Sequence, residues 1–431
     1  MSVGLIIKQE RLKQNMKQIV LCKGICSVSY LSKIESNSFQ PSDEVLGLLL
    51  KQLKLNPSEI TIEDETEVIT HLYEVYKTAI TKRDIEAINC FLVQATNNPV
   101  HFSKASNYTS YLLHIFRLYL ILNDDMNEIR HLATTIQSLD KSLSDKEQFL
   151  LNYNLGLFHY EDREYIASLN HMERALEYLE SRTIKDWEVA DFYNALSLTY
   201  YQNQELLKAS YYASLSLPIF KDQLLFDRAV DNYIVLGNIS KGLKDYAKAE
   251  NNLLMAQRLI VELNLTTKEA MILHNIGSLN ALKGEAEIAI HYYSMSLSKR
   301  EMGSEKYYLT VLSIIKEYSK EKNFKQVIRW CDDALSSLGN VPPINKRLKP
   351  YYVHFTLYKA LHSFDEKLES ILKKAIKFFE KEQDLRHVQK YNYLLAEYYT
   401  KHNKYKAAVS YYEKIKEISF SNKMIKHWED L

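Results

Sequence analysis

Glycine and proline are scarce in this chain of 431 residues, at ten and seven, and only four cysteines occur. So little punctuation, across long windows of Leu, Lys, Glu, Ala, Ile and Tyr at helical spacing, reads as an all-α protein. Cys22, Cys26, Cys90 and Cys331 are too few and too irregularly spaced for a disulfide framework, and they point to a reducing compartment, most simply the cytoplasm. Charge of one sign is also lacking. The net charge of +1 gives the whole molecule no pull toward a polyanion, although residues 1–60 carry eight Lys/Arg against five Asp/Glu.

Long apolar runs are missing too. The most apolar stretch, YLLHIFRLYLIL at 111–122, is broken by His114 and Arg117 and is too short to span a bilayer; no secretory-type leader pattern opens the chain. No GxGxxG or P-loop appears, and no Ser or Cys nucleophile has a base beside it, so an enzyme has little support. Cys22 and Cys26 are four apart, but no nearby His or third Cys completes a metal site, and they read as small core residues. No metal and no cofactor is expected.

What is present is organised in two parts. Pro57, Ser58 and the acidic run EDETE at 63–67 suggest a boundary near residue 60, dividing the chain into 1–60 and 61–431. Beyond it the sequence repeats. LNYNLGLFHY (151–160), FYNALSLTYY (192–201), YIVLGNISKG (233–242) and HNIGSLNALKG (274–284) align with tight positions at Gly156, Ser197, Gly237 and Gly277, about forty residues apart. About twelve residues later stand Ser168, Ala209, Ala249 and Ala289, and seven further Ala175, Ser216, Ala256 and Ser296. Small groups there allow close helix approach.

Continuing the period gives about nine helical hairpins, with Ile315, Thr356 and Ala396 at later tight positions and Val75 and Arg117 at earlier ones. Arg117 is out of character: either the register slips there, the favoured reading, or a buried charge has an acidic partner or a peptide carboxylate. The pattern resembles the tetratricopeptide repeat, which implies a right-handed superhelix with a concave ligand-binding face. The last residues, SNKMIKHWEDL, suit a cap for the array.

The N-terminal part reads as four helices. LIIKQERLKQN (5–15) and MKQIVLCK (16–23) are followed by a turn at Gly24, a third helix capped by Ser27 with Leu31 and Ile34 inward, and a fourth capped by Ser42. The spacing is that of a helix-turn-helix. In that arrangement Val28, Ser29 and Lys33, with Tyr30 and Ser32 alongside, face the major groove, the capping Ser27 counts among the DNA contacts, and Lys17 is placed for phosphate. The leading positions hold no Arg, Gln or Asn, so base reading leans on DNA shape. The SYLSKIE core with NSFQPSDEV resembles the Xre-type helix-turn-helix.

The ordered pair of modules resembles the RRNPP family of Gram-positive quorum-sensing receptors, and most closely its NprR and PlcR type. That resemblance implies a peptide-responsive transcription factor that binds double-stranded DNA, takes a short signalling peptide in the concave face, and dimerises. The alternative is a repeat scaffold holding a protein partner such as a phosphorelay response regulator. For an extended peptide backbone, Asn offers both donor and acceptor. Asn154, Asn194, Asn238 and Asn275 recur near the tight positions, each with the rival role of bonding a neighbouring helix backbone. Tyr153, Tyr160, Tyr201 and His274 can form pockets beside them, and Asp191 and Asp231 can meet a basic peptide residue.

Overall fold

A computed structural model describes residues 3–36, 38–55, 65–97, 101–102, 104–122, 126–137, 143–179, 184–339, 347–363 and 365–421. Among them the secondary structure is helical, without a strand. The chain forms two compact units, Met1–Arg228 and Ala229–Leu431. The Pro57–Ser58 boundary and most of the terminal cap SNKMIKHWEDL lie outside the described residues.

The first unit opens with α1 (Val3–Lys13), α2 (Gln18–Leu21), α3 (Val28–Glu35) and α4 (Asp43–Gln52). Helix α1 has the expected eleven residues but ends two earlier, because Asn15 turns left-handed at φ 53°, and α2 is shorter than its apolar spacing suggests, because Lys17 is extended. Gly24, at φ 77°, makes the turn before α3, where a side chain would be strained. Ser27 and Ser42 cap as expected: Oγ accepts from Tyr30 N at 3.1 Å and from Val45 N at 3.4 Å. Ile7, Leu21, Cys22, Leu31, Ile34, Leu49, Leu50 and Leu53 form the small core.

Hairpins follow in the same unit: α5 (Glu65–Lys82) with α6 (Ile85–Asn97), α7 (Ala105–Leu122) with α8 (Met126–Gln137), α9 (Asp145–Glu161) with α10 (Tyr165–Glu177), and α11 (Asp186–Gln202) with α12 (Leu206–Asp222). The division falls within α13 (Phe226–Gly242), after Arg228. The second unit pairs the rest of α13 with α14 (Tyr246–Glu262), followed by α15 (Thr266–Lys283) with α16 (Ala286–Ser298) and α17 (Glu305–Lys320) with α18 (Phe324–Gly339). It ends with α19 (Lys349–His362), α20 (Leu368–Lys381), α21 (Leu385–Lys401) and α22 (Tyr405–Ser421). The described residues thus hold nine hairpins.

The register of the four best-matched hairpins is as read from the sequence. All eight small residues of the second helices, from Ser168 to Ser296, are fully buried. A Cβ on Gly156, Gly237 or Gly277 would lie 2.9, 2.8 and 2.8 Å from Met172, Leu253 and Tyr293, so the partner side chain occupies the space that the glycine leaves. Ser168 Oγ also donates to the Gly156 carbonyl at 2.7 Å. The hairpins α9/α10, α11/α12, α13/α14 and α15/α16 turn through left-handed residues at Arg163, Gln204, Lys244 and Gly284.

Helix α1 is buried on more than one side. Ile7 belongs to the small core, while the Gln9 side chain bonds the backbone just before α7: Nε2 donates to the Phe102 carbonyl at 2.8 Å and Oε1 accepts from Phe102 N at 3.1 Å. Phe102 is fully buried, with its ring 4.9 Å from Tyr111 and 6.1 Å from Tyr108.

Candidate DNA-facing helix and polar clusters of the repeats

Helix α3 has two faces because its apolar residues fall three apart. Leu31 and Ile34 are buried, whereas Ser27, Val28, Ser29 and Lys33 are exposed, Val28 by 40%. Tyr30 is half-buried against the exposed Phe39, with ring centroids 5.1 Å apart. Lys17 is exposed at the start of α2. An exposed, apolar-and-hydroxyl leading edge with one cation suits thymine methyls and phosphates better than bidentate base contacts.

The orientation of α3 is fixed by a charge cluster that residue patterning did not reveal. Glu35, at its end and buried, accepts from Arg11 Nε at 2.5 Å, Arg11 NH2 at 2.8 Å and Gln18 Nε2 at 2.7 Å. Arg11 also donates to the Met16 carbonyl at 2.8 Å. One two-pronged Arg–carboxylate contact therefore ties α1, α2 and α3 together.

The repeats of the first unit are centred on a second charge cluster. Asp191 on α11 accepts from Arg117 of α7 through NH2 at 2.6 Å and from Arg228 of α13 through NH2 at 2.5 Å, with Tyr153 Oη of α9 donating at 2.6 Å. The Arg117 guanidinium lies 4.6 Å over the Tyr153 ring, and Arg228 reaches the Ile80 carbonyl at 3.3 Å. All four side chains are buried. Burial alone would raise the Asp191 carboxyl, but Arg228 and then Arg117, with the Tyr153 hydroxyl, hold it below the ordinary aspartate value.

This corrects the favoured reading of Arg117: the register does not slip, and Arg117 is a buried cation with an acidic partner. Glu188 Oε1, His114 Nε2, Tyr73 Oη and the Nε atoms of Arg117 and Arg228 are buried nearby without a hydrogen-bond partner. Burial raises Glu188 above the usual carboxylate value and pushes His114 down to about 4.

The expected peptide residues take several different places. In the first unit, Asn154 is fully buried and donates from Nδ2 to the Leu113 carbonyl at 2.8 Å, which is the backbone-bonding role. Tyr153 and Asp191 are engaged in the charge cluster, Asn194 is buried, and Tyr160 and Tyr201 are half-buried. In the second unit, Asp231 accepts from Lys268 Nζ at 2.6 Å, so both expected anionic anchors already hold a cation of their own chain. Asn275 donates to the Met271 carbonyl of its own helix at 3.0 Å, and His274 Nδ1 lies 3.1 Å from Thr310 Oγ1. Asn238 is half-buried with its Oδ1 unpartnered.

These pairs carry a signal that the sequence does contain. Arg117–Tyr153, Tyr153–Asp191, Asp191–Arg228, Asp231–Lys268 and His274–Thr310 are 36, 38, 37, 37 and 36 residues apart. A polar partner slightly less than one repeat away marks contacts between successive first helices.

A helix-turn-helix with an exposed leading edge, joined to stacked helical hairpins, is the build of a transcriptional regulator with a repeat module. A family model described as Helix-turn-helix matches residues 7–60. The transcriptional activator NprA of Geobacillus stearothermophilus is 30% identical over 382 residues, covering 87% of this chain and 93% of that protein. The apo form of the quorum sensor NprR from B. thuringiensis aligns with a TM-score of 0.67 at 16% identity, over 83% of this chain and all of that one. NprR in complex with its cognate peptide NprX aligns at 0.63 and 16%, over 82% of this chain and 99% of that one. The chain belongs to the RRNPP family of regulators. Among the described residues, no helix is long and apolar enough to cross a membrane.

Proposed function

We propose that residues 1–60 bind double-stranded DNA through α3, and that residues 61–431 bind a short signalling peptide that switches this binding. The exposed edge Ser27–Val28–Ser29–Lys33 on a helix whose other face is core is the observation that carries the reading. On this reading Lys17 contacts phosphate and Tyr30 flanks the groove. Support for a peptide ligand comes from a fold shared with NprR, which has been solved with its peptide NprX. Tyr153, Asp191, Asn194 and Tyr201 in the first unit, and Asp231, Asn238, His274 and Asn275 in the second, are the proposed contacts. Asn154 acts behind them as a helix rivet. Four free thiols support a reducing cytoplasm, and a homodimer would double the half-site contacts.

The test is fluorescence anisotropy of the full chain on duplexes flanking its own gene, at two salt concentrations, with and without synthetic peptides from neighbouring short reading frames. Binding above the salt-sensitive nonspecific level, strengthened or abolished by one peptide, is expected. Lys33→Ala should weaken binding to all duplexes and lower the salt slope by about 1. Peptide binding without DNA binding would replace the reading with a scaffold for a protein partner.

A further inference from the structure

Helix α7 is held at two places by groups of quite different kinds. Just before it, Phe102 offers both of its backbone groups to the buried Gln9 amide of α1. The first turns carry Tyr108 and Tyr111, packed on the Phe102 ring, and His101 Nε2 lies 4.0 Å from Glu10 of α1. Toward its other end, Arg117 enters the Asp191 cluster, and the Leu113 carbonyl is held by Asn154. At 1.5 Å per residue the start of α7 and Arg117 are roughly 18 Å apart along the helix.

The cluster end is held through shared atoms. Arg117 reaches both Asp191 and Tyr153 through NH2 alone, and its Nε is buried without a partner. Asp191 Oδ2 is shared between Arg117 and Tyr153, while Arg228 holds Oδ1 independently. Displacing Arg117 therefore leaves Asp191 still paired with Arg228. The Gln9 clamp is two-point and directional, so Phe102 cannot shift without moving α1 or breaking both bonds. Because α1 also supplies Ile7 to the core of the helix-turn-helix and Arg11 to Glu35, its displacement carries α3 with it.

We infer that α7 couples the Arg117–Asp191 cluster to the seating of the helix-turn-helix module, with Gln9 as the positioning residue. This rests on the reading that α3 meets DNA under control of the repeats. A ligand group that competes for Arg117 or Asp191 would unlatch α7 and re-seat α1.

Hydrogen exchange of the full chain, read by mass spectrometry, tests this without DNA or any ligand. Arg117→Lys keeps the charge but loses the reach to Asp191 and Tyr153. It should speed exchange about tenfold in α1 (3–13) and in the first turns of α7 (104–111). Gln9→Met should do the same there while leaving 187–193 of α11 protected as in the parent. The double variant should exchange no faster in α1 than either single variant, because both open one latch. Exchange in Arg117→Lys that rises only around the cluster, with α1 fully protected, overturns the inference, as do effects that multiply in the double variant. If Arg117→Lys does not fold, Gln9→Met alone keeps the test: unchanged exchange in the first turns of α7 (104–111) overturns the inference. Failed DNA binding would overturn the proposed function and leave this exchange result intact; unchanged exchange would do the reverse.

Discussion

At the scale of single residues, burial decides which charges matter. Asp191 has both oxygens on arginines and a third donor in Tyr153, all shielded from water. Asp191→Asn would leave two buried guanidiniums short of an anion, and a loss of about 3–5 kcal/mol is expected in urea unfolding followed by near-UV circular dichroism. Glu74, paired with Lys77 at 3.5 Å where both side chains face water, is the contrast: Glu74→Gln should cost under about 1 kcal/mol. Equal losses would mean that the buried cluster is not the anchor of the first unit. None of this depth was legible at Arg117. A cation in a slot for small residues reads as an error of register until the pairing one repeat away is recognised, and the sequence does not show that Asp191 is already paired, so that a peptide group reaches it only by displacing one of its partners.

At the scale of elements, the tight positions differ in how their neighbours can yield. A methyl on Gly156 would press on the flexible Met172 chain, whereas on Gly277 it would meet the Tyr293 ring at 2.8 Å and the Ala289 carbonyl at 3.2 Å. Gly277→Ala should therefore cost about 1–3 kcal/mol and exceed Gly156→Ala, as compared by thermal melts; the reverse order would mean that the ring rotates away freely. In the N-terminal module, Ser27→Ala removes the bond to Tyr30 N and should cost about 1 kcal/mol in a melt of the full chain. The hairpins and the capped α3 were legible because close packing demands small residues at fixed spacing, and a cap demands a hydroxyl at one position. The Gln9–Phe102 clamp and the Arg11–Glu35 tie were not. They join residues 93 and 24 apart whose types are ordinary on helix surfaces, and only the assembled fold makes them buried.

At the scale of the whole molecule, histidines held neutral by burial lie in both compact units. In the first, burial holds His114 at about 4, with Nδ1 on the Ser110 carbonyl at 2.7 Å and Nε2 bare. His171, stacked on His159 at 5.3 Å, is also at about 4, from burial and then the neighbouring imidazole. In the second, burial, then Arg300 and Lys241, push His274 down to about 3. Each folded value lies below the 6.5 of a free imidazole, so the unfolded chain takes up protons first as pH falls. The stability these residues contribute is complete above pH 6.5 and is lost progressively from there toward pH 4. For His114, the most buried of the three, the loss by pH 5 is of order 2 kcal/mol; the half-exposed His171 contributes less. Melting temperatures should therefore fall steadily between pH 7 and pH 5, an interval that lies above the range in which ordinary carboxylates titrate. His114→Phe keeps a ring against Tyr76, 4.9 Å away, and removes the titrating group, so its melting temperature should fall less over that interval than the parent's. Parallel slopes in the two proteins would mean that His114 is protonated in the folded state, and that the cluster around Glu188 is wetter than its burial indicates.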